Sequence, residues 1–288
     1  PIERASEAYS NLLSNNQSLG IIIKYPNEIN LEEKTIYLKN KTEISPQKNI
    51  SLSFIGTGNY ARSQLLPAFK KRDIELNTIV SSEGLGPVFL GKKFGFKKAS
   101  TNIYEAIKDP NCNTIVICTR HDSHCRIICD SLSNKKHVFV EKPLCITLEE
   151  LKKIQSFYDG SKLLMIGFNR RFAPLSKIAK KIISKINQPK AYIYTCNAGY
   201  IESEHWIHDI KIGGGRLIGE ACHFLDYLRF LDSSAITEVK LMNISSLKNN
   251  DNFTINLKFE SGSIGTIHYF ANGHKSFPKE RIEIFGDN

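Results

Sequence analysis

The chain has 288 residues, 41% of them apolar and 24% charged, and its 39 basic and 29 acidic side chains leave a net charge of +10. This composition excludes a disordered, collagen-like or coiled-coil chain. No apolar run approaches the ~18 residues of a spanning helix and no leader pattern opens the sequence, so a soluble, cytoplasmic protein of about two domains is expected. The seven cysteines (112, 118, 125, 129, 145, 196 and 222) form no C-x-x-C pair, which favours reduced, mostly buried thiols over a disulfide framework or a zinc ribbon.

Residues 1–48 carry six basic and six acidic side chains, so the whole positive charge belongs to residues 49–288. Ile2 to Leu13 has helical spacing, Ile21 to Ile23 reads as a short strand, and residues 26–48 read as a linker or an irregular hairpin. From residue 49 short apolar strands alternate with helices. The strands are Ile50 to Ile55, Leu76 to Val80, Thr114 to Cys118, His137 to Val140 and Leu163 to Ile166. The helices are Tyr60 to Lys71, Pro87 to Phe94, Asn102 to Lys108, Ser123 to Leu132 and Leu148 to Phe157. This pattern predicts an α/β domain over 49–168, a doubly wound parallel sheet of Rossmann type. After a helix near 170–185 the spacing changes to strands at 191–197, 236–244, 253–259, 263–270 and 281–285, with one helix at 216–230. Residues 169–288 are therefore expected to form an α+β substrate and oligomerisation domain with a mostly antiparallel open sheet. It is expected to be truncated, because the sequence stops after a strand.

Gly56-Thr57-Gly58-Asn59-Tyr60-Ala61 follows a strand and opens a helix, which is the context the dinucleotide fingerprint requires. Gly56, Gly58, Asn59 and Tyr60 are the candidate pyrophosphate contacts. The residue reading the adenosine ribose falls in Ser81-Ser82-Glu83-Gly84, where no Asp ends the strand and no Arg stands beside it. Ser81 and Glu83 are candidates there, NAD and NADP both stay open, and the missing arginine leans the reading toward NAD.

Thr119, Arg120, His121 and His124 lie where the third of these strands ends, the edge at which such sheets bind ligands, and are placed on the nicotinamide side. Two histidines three apart without further ligands do not indicate a metal. Glu141-Lys142-Pro143 ends the next strand, where a lysine can donate to a substrate oxygen, or can be a surface lysine beside its neighbour. Gly213-Gly-Gly then runs into a helix carrying Glu220, His223 and Asp226 three apart on one stripe. A lone histidine on such a helix is more often a core residue than a catalyst.

Taken together, the segments GTGNYA, CTRHDSH, EKPL, GFNRRFAP and GGGRLIGEACHFLDYLRF, in this order over residues 49–288, resemble the Gfo/Idh/MocA family of oxidoreductases. The resemblance implies an N-terminal Rossmann domain and a C-terminal domain whose open sheet makes subunit contacts, hence a homo-oligomer. It assigns Lys142 and His223 to the catalytic cleft; Glu141 is a candidate cofactor contact, and Arg171, Trp206 and Glu220 are candidate substrate contacts. The family often carries Asp four residues before the histidine. This chain has Gly219 there, and Glu220 is a candidate substitute about 100° further around the helix. Residues 1–25 resemble the last helix and strand of a zinc-type, medium-chain alcohol dehydrogenase, which implies a bi-domain oxidoreductase.

The expected activity is hydride transfer between NAD or NADP and a carbinol of a sugar, sugar nucleotide or cyclitol, with no membrane or metal involved. The alternative is a dinucleotide-binding sensor or scaffold without catalysis. A nucleic-acid partner is not favoured, because Lys and Arg are dispersed in ones, twos and threes. With His223 titrating near the usual 6.5, oxidation is expected to rise with pH through that value.

Overall fold

The computed structural model describes residues 1–14, 20–25, 34–39, 50–82, 85–244 and 251–286. In the first half α1 (Ala5–Ser14) and β1 (Thr35–Tyr37) precede β2 (Ser51–Ile55), α2 (Leu66–Lys70), β3 (Glu75–Val80), α3 (Leu85–Phe94) and β4 (Lys98–Ser100). Then come α4 (Tyr104–Ile107), β5 (Thr114–Ile117), α5 (His124–Ser133), β6 (His137–Val140), α6 (Leu148–Phe157) and β7 (Leu164–Ile166). The second half holds α7 (Pro174–Ile183), β8 (Ala191–Asn197), α8 (Cys222–Asp232), β9 (Ile236–Asn243), β10 (Phe253–Phe259), β11 (Ile264–Phe270) and β12 (Glu280–Phe285).

The first sheet has the order β1-β4-β3-β2-β5-β6-β7 and is parallel except where β1 pairs with β4. All residues of β2 and β3 are buried, because helices cover both faces and leave no water-facing side. One core packs α5 and α6 against β5 and β6, and the other packs α2 and α3 against β2 and β3. Crossovers run to opposite sides from the adjacent strands β2 and β5, so a crevice opens at their carboxyl ends. Helix starts are fixed locally. Thr147 Oγ1 accepts from Glu150 N–H at 3.1 Å while the Glu150 carboxylate accepts from Thr147 N–H at 3.3 Å, a reciprocal cap that begins α6.

The second sheet has the order β12-β8-β11-β10-β9, antiparallel except for β8 beside β11. Buried Tyr192, Tyr194, Ile255, Leu257, Ile267 and Tyr269 alternate with more exposed residues, as expected for a sheet covered on one face, here by α8. The Rossmann architecture and the second, mostly antiparallel sheet are those the sequence predicts.

The N-terminal expectations change. The helix is present, but Ile21 to Ile23 form no strand, and Ile22 is 97% exposed. The segment read as linker or hairpin instead supplies β1, which closes the sheet edge at β4 through Thr35↔Ser100 and Ile36↔Ala99. The strand β4 escapes sequence reading because three residues are too few for a period. The helix expected at 102–108 shortens to α4, since the Asn102 side chain accepts from Tyr104 N–H at 3.1 Å and makes a turn first.

Candidate active site

The crevice begins at the glycine loop after β2. Gly56 has φ +101°, and a Cβ there would lie 2.4 Å from the Cys118 carbonyl oxygen, so only glycine passes β5 this closely. Gly58 differs. A Cβ there would meet nothing within 4 Å, which leaves an open cradle where the fingerprint puts the pyrophosphate. The chain then enters a wide π-type turn, Ala61–Leu65, and Arg62 N–H bonds the Gly58 carbonyl at 3.0 Å. The resulting cleft, about 1070 Å³, runs from Ser81 and Ser82 past Asn59 and Tyr60 to Thr119, Arg120, Glu141 and Lys142. These residues fit a dinucleotide: glycines with open space at the phosphates, hydroxyls at the ribose end, and charged groups at the other. Burial holds the Glu141 carboxyl above its usual range, against the nearby Lys142 charge. Glu83, the other ribose candidate, lies outside the described residues.

A second cavity of about 420 Å³ adjoins the first. His121, Lys142, His205, Trp206 and His223 line both. The wall between them is built by hydrogen bonds between the two sheets' domains. His121 Nδ1–H donates to the Gly213 carbonyl at 2.8 Å, Asp122 N–H to Ile212 at 3.1 Å, and Lys142 Nζ to the Gly219 carbonyl at 2.7 Å. Gly213 must be glycine for this closure, because a Cβ would sit 2.5 Å from the Ile207 backbone. Trp206 stands edge-on to His121 at 4.9 Å, with the Arg120 guanidinium over its face at 5.7 Å.

His223 lies in α8, just after a second π-type turn, Leu217–Ala221. Burial, then the positive charges of Lys142 and Arg170, lower its pKa to about 3. It is therefore neutral across the physiological range, and the titration near 6.5 expected from sequence is displaced. Its Nδ1 is sealed in without a partner among the described residues, which leaves Nε2 as the ring nitrogen a ligand can reach. Burial likewise lowers His121, to about 4.

Several residues stand elsewhere than the sequence suggests. His124 is 0% exposed and ties the strand ends together, with Nδ1–H on the Pro143 carbonyl at 2.7 Å, so it supports the cleft from behind. Arg171 pairs with Asp226 and covers Phe230. Its neighbour Arg170 faces the second cavity, held by Glu280 at 2.5 Å and lying over Phe224 at 5.0 Å. Glu220 does line that cavity, yet Tyr269 and Arg216 hold its carboxylate and Lys142 does not. The wide turn takes Glu220 off the expected stripe, while Asp226 on α8 pairs with Arg171. The sequence reading missed Arg170, Arg216 and Arg62. The doubled arginine of GFNRRF and the arginine after the fingerprint were the available signals.

Two family profiles cover most of the chain. The first, "Oxidoreductase family, NAD-binding Rossmann fold", matches residues 50–168, and the second, "GFO/IDH/MocA C-terminal domain", matches residues 180–288. The chain belongs to the GFO/IDH/MocA family. It is 26% identical to myo-inositol 2-dehydrogenase of Thermotoga maritima, over 68% of this chain and 60% of that protein. It is 30% identical to scyllo-inositol 2-dehydrogenase (NAD(+)) of Bacillus subtilis, over 62% of this chain and 54% of that protein. It thus spans little more than half the length of these relatives. A levoglucosan dehydrogenase solved with NADH and levoglucosan matches with a TM-score of 0.74 at 22% identity, over 83% of this chain and 71% of that one, which shows a shared fold. At Gly219, where the resemblance leads to an expected Asp, the space for a side chain is filled. A Cβ at Gly219 would lie 2.8 Å from Ile207 Cδ1 and 3.1 Å from His121 Cε1.

Proposed function

We propose that this chain carries the dinucleotide site and catalytic pair of a dehydrogenase acting on a secondary alcohol of a sugar, sugar nucleotide or cyclitol. The observation that carries this reading is the shared wall. Lys142 and His223 line both the dinucleotide cleft and the adjoining cavity, where a hydride donor and acceptor can meet. Similarity to inositol dehydrogenases and the shared fold with a levoglucosan dehydrogenase support the substrate class.

A bound nicotinamide supplies the hydride acceptor. The protein has to manage the hydroxyl proton and the negative charge left on oxygen. One of the three N–H groups of Lys142 is committed to the Gly219 carbonyl, leaving two for the substrate oxygen. A carbonyl, unlike a carboxylate, does not neutralise the ammonium, so its full charge stabilises the developing alkoxide. Neutral His223 accepts the proton at Nε2. With its pKa near 3 in the free protein, it becomes an effective base only as negative charge grows on the neighbouring oxygen and offsets Lys142 and Arg170.

The test is dinucleotide binding by calorimetry, followed by turnover across a panel of polyols, cyclitols and sugar nucleotides. Binding with no turnover anywhere favours the second reading, a dinucleotide-binding sensor, to which Gly219 also lends support. We further propose that the uncovered face of the second sheet makes a contact with another copy of the chain. Sedimentation showing only monomers at micromolar concentration overturns that contact.

A further inference from the structure

We propose that Arg62 forms a site for the 2′-phosphate of the dinucleotide, so that this chain prefers NADP(H) over NAD(H); the inference rests on the dinucleotide reading above. No arginine follows β3 in sequence, yet the fold delivers one to that place from the other side of the cleft. Arg62 Nε–H donates to the Thr57 carbonyl at 2.5 Å, which holds the guanidinium across the glycine loop. With that bond made, Arg62 Nη2 lies toward the start of α3. A Cβ added at Gly86 would lie 3.5 Å from Arg62 Nη2 and 4.0 Å from Thr57 Oγ1. The guanidinium, the Thr57 hydroxyl and the backbone of Gly86 therefore border one space, in which a Cβ would make only ordinary contacts.

This space adjoins the end of β3, where Ser81 and Ser82 line the cleft and Ser82 is exposed. In a doubly wound sheet that strand end reads the adenosine ribose, with a carboxylate for a free 2′-hydroxyl or an arginine for a 2′-phosphate. Among the described residues lining the cleft, the one carboxylate is Glu141, at the opposite end beside Lys142. Among its described residues the ribose end presents a fixed cation and hydroxyls to a ligand, the chemistry that receives a phosphate.

The experiment is calorimetry on the full chain with 2′,5′-ADP and 5′-AMP as probes, then NADPH and NADH. The expected result is tighter binding of the 2′-phosphorylated member of each pair by about tenfold or more. Arg62→Ala should erase that ratio while 5′-AMP affinity stays within about twofold, and Arg62→Lys should restore part of it. Because Arg62 also braces the Thr57 carbonyl, Ser82→Asp gives an independent reading. A carboxylate there should reverse the preference toward NADH without touching that brace. Equal affinity of the native protein for both members of each pair overturns the 2′-phosphate site and leaves the dinucleotide reading standing. So does loss of both probes in parallel in Arg62→Ala with no reversal in Ser82→Asp. Binding of none of the four molecules removes both readings.

Discussion

The two ends of the cleft are made in different ways. At the dinucleotide end the backbone does the shaping: Gly56 is dictated by the Cys118 carbonyl, and Gly58 opens on space in which a Cβ meets nothing within 4 Å. At the other end, side chains reach groups far away in sequence: Lys142 the Gly219 carbonyl, His121 the Gly213 carbonyl, and Arg170 the Glu280 carboxylate. A site shaped by backbone tolerates almost no change at its glycines but is indifferent to the exact partner. A site assembled by long-range side-chain contacts can hold its lysine through a backbone carbonyl, as Gly219 does here.

The largest effect belongs to the assembled end. His223→Ala should lower turnover by roughly 10²-fold to 10⁴-fold with little change in dinucleotide affinity, and Lys142→Met should behave alike. Steady-state rates with a confirmed substrate, set beside calorimetry, check this. Near-native turnover in both variants makes the pair structural. At the backbone end, Gly56→Ala combines a left-handed φ with a backbone clash and should cost about 2–4 kcal/mol of stability in urea unfolding. Gly58→Val should leave stability within about 1 kcal/mol and abolish dinucleotide binding, because its side chain enters only the ligand's space. Similar behaviour of the two variants contradicts the distinction.

What the sequence reveals obeys the same division. Strand β2, the glycine turn and the β–α alternation are local patterns, and all are legible. So are β8 and β10, whose period of two marks one covered face. The resemblance to a family pointed to Lys142 and His223, but not to what surrounds them. Arg170 and Arg171 are adjacent and chemically identical, and only the Asp226 and Glu280 partners, 55 and 110 residues away, decide which one faces the cavity. The π-type turn at Leu217–Ala221 shifts the helix face and spoils the three-residue spacing on which the stripe was read. Arg62 directly follows the fingerprint, whereas the spacing rule looks for the ribose residue some twenty positions later.

Acid stability is a smaller effect of the assembled end. His121 and His223 are held neutral, with pKa values near 4 and 3, whereas in the unfolded chain they titrate near 6.5. Below 6.5 the unfolded state binds more protons, so unfolding free energy rises with pH across that window and falls as the solution is acidified. Each histidine contributes about 1.4 kcal/mol per pH unit at most, and the pair roughly 2 kcal/mol between pH 6 and 5. Burial of His124 works in the same direction. Urea midpoints at the two pH values check this, and His121→Gln should lower the slope.

The smallest effect concerns Gly219. Returning a side chain there meets Ile207 Cδ1 at 2.8 Å, the movable end of a flexible group, and His121 Cε1 at 3.1 Å. Gly219→Ala should therefore cost only about 1 kcal/mol, and Ile207→Val should recover part of it by withdrawing that terminal carbon. Gly219→Asp in the Ile207→Val background places a carboxylate near Lys142 and offsets the charge that holds His223 low. With its positive neighbour neutralised, His223 should bind protons at higher pH than the native value of about 3. Oxidation by the native protein should show no limb from His223 between pH 5 and 9, because the base is already free. In the double variant the protonated fraction grows at the acid end, so the rate should fall first as pH drops. Identical pH profiles for the two proteins show that Gly219 does not govern the electrostatics of the pair.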